Sequence, residues 1–134
     1  MNRRVALCLP AILDENLIAK TTVSINENII KFNSDIQFDV FVNIDNHRRS
    51  DGLGTLYSIK NLYEKLNSKN CSVHVRKSES RVGLNKAYKY LAEMFDQSES
   101  SHCVFFDDDH FIINPVNMKE VLNLLDSNVM VHLG

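Results

Sequence analysis

Short apolar runs alternate along the chain with longer stretches in which apolar residues return every three or four positions. The runs at 5–9, 38–44, 71–75 and 103–106 have the length of strands, and 129–131 is a last apolar run of the same kind. Ile18, Thr22, Ile25, Ile29 and Phe32 recur at steps of four and three, which predicts a helix from about 14 to 32 with these five on one face. Asp14 has the form of its N-cap. Leu56, Ile59, Tyr63 and Leu66 predict a second helix over 55–66, and Leu84, Ala87, Tyr88, Leu91 and Phe95 mark a third. Met118, Val121, Leu122 and Leu125 mark a fourth, with Asn114 and Pro115 placed as N-cap and first residue.

Strands alternating with amphipathic helices predict βαβ units, hence an α/β fold with a mainly parallel sheet between two helical layers. Right-handed crossovers gather the strand-to-helix loops at one sheet edge, here 10–15, 45–54, 76–83 and 107–114. Ligands of such sheets bind outside the carboxyl ends of the strands. With no repeat, low-complexity tract or linker, residues 1–134 read as a single domain.

The run 103–106, expected to be a strand buried on both faces, breaks directly into Asp107, Asp108 and Asp109. In extended chain Asp107 and Asp109 point to one side and Asp108 to the other. Two carboxylates on one side repel unless a cation lies between them, and an oxygen-only donor set suits Mg²⁺ or Mn²⁺. The plainer account is a solvated acidic turn. Asp45 closes the second strand, either as a hydrogen-bond acceptor for a nucleotide or as a turn-former with Asn46.

Composition adds little to this. Of 134 residues 44% are apolar and 24% charged, as in ordinary globular domains, and a net charge of −2 advertises neither nucleic acid nor a membrane surface. Cys8, Cys71 and Cys103 are odd in number, lack metal-ligand spacing and read as reduced core thiols, which points to the cytoplasm. Arg3-Arg4 before the run 5–9 could pass for a signal peptide. That run is short, is cut by Pro10 and is followed by Asp14-Glu15 without a small-x-small cleavage site, so a buried first strand is expected. No stretch approaches membrane-spanning length.

Four segments stand in order at the predicted strand ends. They are Leu9-Pro10, Asp45 with Ser50-Asp51-Gly52 behind it, the run Arg81-Val82-Gly83-Leu84-Asn85-Lys86-Ala87-Tyr88-Lys89, and Asp107-Asp108-Asp109 with Pro115 downstream. Together they resemble the nucleotide-binding half of a GT-A-fold glycosyltransferase, most similar to the family 2 type, over nearly the whole chain from Val5 to about Pro115. The resemblance implies a metal-dependent transferase with a nucleoside-diphosphate sugar donor, UDP-linked by preference. It implies donor contacts at Pro10, Ala11, Asp45, Arg81, Gly83, Lys86 and Asp108, and Mn²⁺ or Mg²⁺ held by Asp107 and Asp109.

Departures from the family pattern are specific. Ile12-Leu13 replaces an aromatic-polar pair, and Arg81 and Lys89 replace asparagines. In the family the catalytic base and acceptor surface lie well beyond the metal motif, so no catalytic residue is assigned here, and a truncated or minimal domain is expected. Its partners are then the donor, an acceptor (glycan, protein or small molecule), and either a second copy or a partner subunit. The rival to an enzyme is a non-catalytic nucleotide-sugar-binding module or inactive transferase remnant. A phosphatase-like hydrolase fits less well, because its Asp-x-Asp belongs on the first strand.

Overall fold

In the computed structural model of the chain, the described residues are 3–11, 15–45, 70–78, 83–107 and 111–127. Strand β1 (Arg4–Ala11) is followed by helix α1 (Glu15–Ile25), which runs into a π-helical turn (Asn26–Ile30), then β2 (Gln37–Ile44) and β3 (Cys71–Lys77). Helix α2 (Leu84–Asp96), strand β4 (His102–Phe105) and helix α3 (Met118–Ser127) complete the order. The four strands form one sheet in the order β3-β2-β1-β4. All three pairings are parallel. The chain therefore steps outward from β1 to β3 and returns to the other side of β1, which makes the gap between β1 and β4 the point where strand order reverses.

Alternation along the strands divides the core into two unequal halves. Val5, Leu7, Leu9 and Ala11 of β1 and Phe38, Val40, Val42 and Ile44 of β2 pack with α1, the π turn and α3. The opposite face is smaller: Ala6, Cys8 and Phe41 meet Leu91 of α2, with Tyr88, Met94, Phe95 and Cys103 around them. The result is a layered α/β fold with helices on both faces of a parallel sheet. On the α2 face β2 carries buried Asp39 and Asn43, with Phe41 the one apolar residue between them, and buried Asp45 follows its last residue. At the amino end of the sheet Arg4 holds Asp39 through Nε at 3.2 Å and a terminal guanidinium nitrogen at 2.9 Å, and Ser100 Oγ donates to the same carboxylate at 2.7 Å.

Several expectations are corrected. The amphipathic face from Ile18 to Phe32 does not continue to its end, because the Lys31 N–H reaches back five residues to the Asn26 carbonyl at 2.9 Å. The wider turn takes up one extra residue and rotates the residues C-terminal to it. Phe32 is therefore 54% exposed while Ile29, Ile30 and Asn33 are buried. Strand β4 is half-exposed rather than buried on both faces, since among the described residues it pairs with β1 alone. Helix α3 begins at Met118, not at Pro115: Asn117 Oδ1 accepts the Glu120 N–H at 3.4 Å, and Asn33 Oδ1 takes the N–H of Met118 at 2.9 Å. Pro10, expected to close β1, lies inside it, and Arg76 and Lys77, expected in a link, extend β3. The predicted helix over 55–66, the N-cap Asp14 and the run 129–131 lie outside the described residues.

The segment between the acidic motif and α3 is strapped to the π turn. Ile112 donates to Ser24 Oγ at 3.1 Å and accepts from Asn28 Nδ2 at 2.7 Å. Val116 donates to the Asn28 carbonyl at 2.8 Å, and its own carbonyl accepts Asn33 Nδ2 at 2.8 Å. The side chains of Ser24, Asn28 and Asn33, from α1, the π turn and the turn after it, thus satisfy a stretch of chain that has no secondary structure of its own.

Candidate functional site

Pro10 shapes the crevice at the switch point. Within β1 the even residues turn their backbone groups toward β4, as the Cys8 carbonyl accepting the Phe106 N–H at 2.9 Å shows, while the Ala11 carbonyl accepts the Asp45 N–H at 3.0 Å beside β2. Pro10 therefore stands toward β4 with no N–H to give. Pairing between β1 and β4 stops at Cys8 and Phe105, whereas pairing between β1 and β2 runs on to Ala11 and Ile44. β1 and β4 part at their carboxyl ends.

Two carboxylates flank that opening, both on the α2 face. Asp45 is 3% exposed, and its Oδ2 accepts the N–H of Gly83 at 3.0 Å. Gly83 has φ +83° and ψ 169°, a conformation that only glycine adopts without strain, and a Cβ there would meet nothing within 4 Å. Glycine is thus required by the turn into α2, not by crowding. The first turn of α2 has no side-chain cap and no acidic residue, and Lys86 stands exposed within it. The helix dipole favours the Asp45 carboxylate at this end and would favour a phosphate there as well.

Asp107 lies two residues past the end of β4, and its Oδ1 accepts a hydrogen bond from the hydroxyl of Tyr88 on α2. The same hydroxyl lies 3.5 Å from the Phe106 carbonyl. That carbonyl is the ladder acceptor that Pro10 cannot serve. The tyrosine ring meets Phe105 edge-on, with centroids 5.8 Å apart and an interplanar angle of 81°. Gly83 and Tyr88 are five residues apart, about 7.5 Å of helical rise, so the start of α2 spans the distance between the two carboxylate anchor points.

Asn43 and Ser78 belong to the same face, and no sequence motif points to either. Asn43 is fully buried with neither amide atom hydrogen-bonded, and Ser78 Oγ is buried without a partner. Strand parity is the available signal: Asn43 stands two residues before Asp45, hence on its side of the sheet. Helical spacing places Tyr88 at the core edge but says nothing about where its hydroxyl ends.

The structure thus brings Pro10, Asp45, Gly83, Lys86 and Asp107 to one sheet edge. It separates Ala11 from them: that side chain is buried in the core on the α1 face. Arg81, Asp108 and Asp109 lie outside the described residues. Among the described residues no group of three or more His, Cys, Asp or Glu side chains forms a cation cage. Mg²⁺ and Mn²⁺ sites that use one or two carboxylates and complete their shell with water and substrate phosphates need no such cage. Asp107, a hard oxygen donor held in place at the crevice, fits that chemistry.

The three thiols are free. Among the described residues no helix is long and apolar enough to cross a membrane. No protein-family model and no curated protein matches the chain.

Proposed function

We propose that the chain is the donor-binding part of a metal-dependent glycosyltransferase of the GT-A type, taking a nucleoside-diphosphate sugar with UDP as the preferred nucleotide. One observation carries the reading: Asp45 and Asp107, from two different strands, reach the same carboxyl edge on the same face, and both are tied to α2. Asp45 accepts a hydrogen bond from the base or ribose beside its bond to Gly83. The N-terminus of α2, Lys86 and Arg81 orient the diphosphate. Asp107 and Asp109 hold Mn²⁺ or Mg²⁺, which when bound supplies the positive charge that stabilises the departing diphosphate.

A carboxylate already stands at the start of α2, so diphosphate binding needs added positive charge. This supports a cation requirement. Titration of UDP and UDP-sugars by calorimetry, with and without Mn²⁺, tests the reading. Binding is expected only with the metal and is lost in Asp107→Ala. A folded chain that binds no nucleotide under either condition refutes it. Release of free sugar from a bound donor then separates a transferase from a binding module that only holds it.

A further inference from the structure

We propose that Tyr88 is a positioning residue for Asp107, fixing the carboxylate in the orientation that receives the divalent cation. This rests on the reading of Asp107 as a cation ligand. Ala87 and Leu91, both fully buried, fix α2 against the sheet, and Tyr88 follows Ala87 on the side that faces β4. Its ring is held edge-on by Phe105, so the hydroxyl has little freedom to leave Asp107 Oδ1. The Phe106 carbonyl at 3.5 Å lies on the same side, in the place left without a strand donor by Pro10.

The choice of a phenol is informative. An Arg or Lys in this place would orient the carboxylate equally well but would offset its charge and weaken its hold on a cation. A phenol hydroxyl donates its hydrogen bond without bringing a positive charge to the carboxylate. The bond from Tyr88 restricts the rotation of the Asp107 side chain and adds no charge that would compete with a cation. Groups that orient a metal ligand in this way commonly contribute about 10- to 100-fold in metal affinity.

The test measures Mn²⁺ affinity of the full chain by electron paramagnetic resonance, without nucleotide, for the parent protein, Tyr88→Phe, Tyr90→Phe, Asp107→Ala and Asp109→Ala. Tyr88→Phe keeps the ring and removes only the donor. Expected are a roughly 10- to 100-fold weaker Mn²⁺ affinity for Tyr88→Phe, an unchanged thermal unfolding midpoint, and parent-like affinity for Tyr90→Phe. Parent-like affinity for Tyr88→Phe, alongside loss in Asp107→Ala, overturns the positioning role and leaves the cation site standing. If the parent takes no Mn²⁺, or takes it equally well without Asp107 and Asp109, the cation reading falls and the positioning role falls with it.

Discussion

The backbone N–H of Gly83 and Oδ2 of Asp45 are 3.0 Å apart, joining the carboxyl end of β2 to the first residue before α2. The bond depends on the conformation of Gly83 at φ +83°. Gly83→Ala is expected to cost about 1–3 kcal/mol, because the residue must either hold a strained backbone or turn its N–H away from Asp45. Denaturant unfolding measures the loss, and nucleotide binding should weaken in the same variant. An alanine variant of parental stability would mean that the turn relaxes without strain.

Asp39 anchors the far end of the sheet. It is 2% exposed and accepts from Arg4 and Ser100, so Asp39→Ala removes an ion pair and leaves the buried Ser100 hydroxyl without this acceptor, while the partly exposed Arg4 keeps Glu99 at 3.9 Å. A loss of roughly 2–3 kcal/mol is expected, read from the urea midpoint, with nucleotide affinity unchanged because the site lies at the opposite edge. A fall in affinity without a fall in stability would contradict this division of labour.

Asn43 invites the opposite substitution. Its amide is buried and unbonded, so Asn43→Leu, close in shape and apolar, is expected to raise stability by about 1 kcal/mol. Thermal and urea unfolding would register the gain. A clear loss instead would mean that the amide is satisfied by a buried water in solution.

Thiol ionisation predicts the alkaline limit of stability. Burial first, and for Cys8 the neighbouring Cys103, pushes the Cys8 thiol up to about 12 from an ordinary 9.0. Burial and then the Asp39 carboxylate push Cys71 to about 12 as well. The unfolded chain sheds these protons first. The contribution is therefore complete below 9.0 and is lost as pH climbs toward about 12. Urea midpoints should fall as the pH rises above 9.0 toward about 12, and Cys71→Ala should reduce that slope. An equal slope in the variant would assign the alkaline loss to other groups.

Most of the architecture was legible in the chain because strand length and helical periodicity are local properties. The parallel sheet, its helices on both faces and the gathering of Asp45 and Asp107 at one edge followed from that alternation. The end of the first helical face did not, because a π turn leaves no mark on apolar spacing until Phe32 falls out of register. Nor could the start of α3 be read correctly, since Asn114-Pro115 and Asn117 both offer capping chemistry. The bond from Asn33 to the Met118 N–H, which favours the second, joins residues 85 positions apart. The partners of Asp45 and Asp107 stayed hidden for the same reason: Gly83 and Tyr88 are far away in sequence and close only once β3 and α2 are in place.

Pro10 also guards the alignment of the sheet during folding. A slip of β1 by one residue would invert its faces and turn the proline toward β2, where continuous pairing needs every donor. Misaligned sheets would thus lose an interior bond as well as their apolar contacts. The residue that keeps the crevice open in the native fold also penalises its nearest misfolded neighbours.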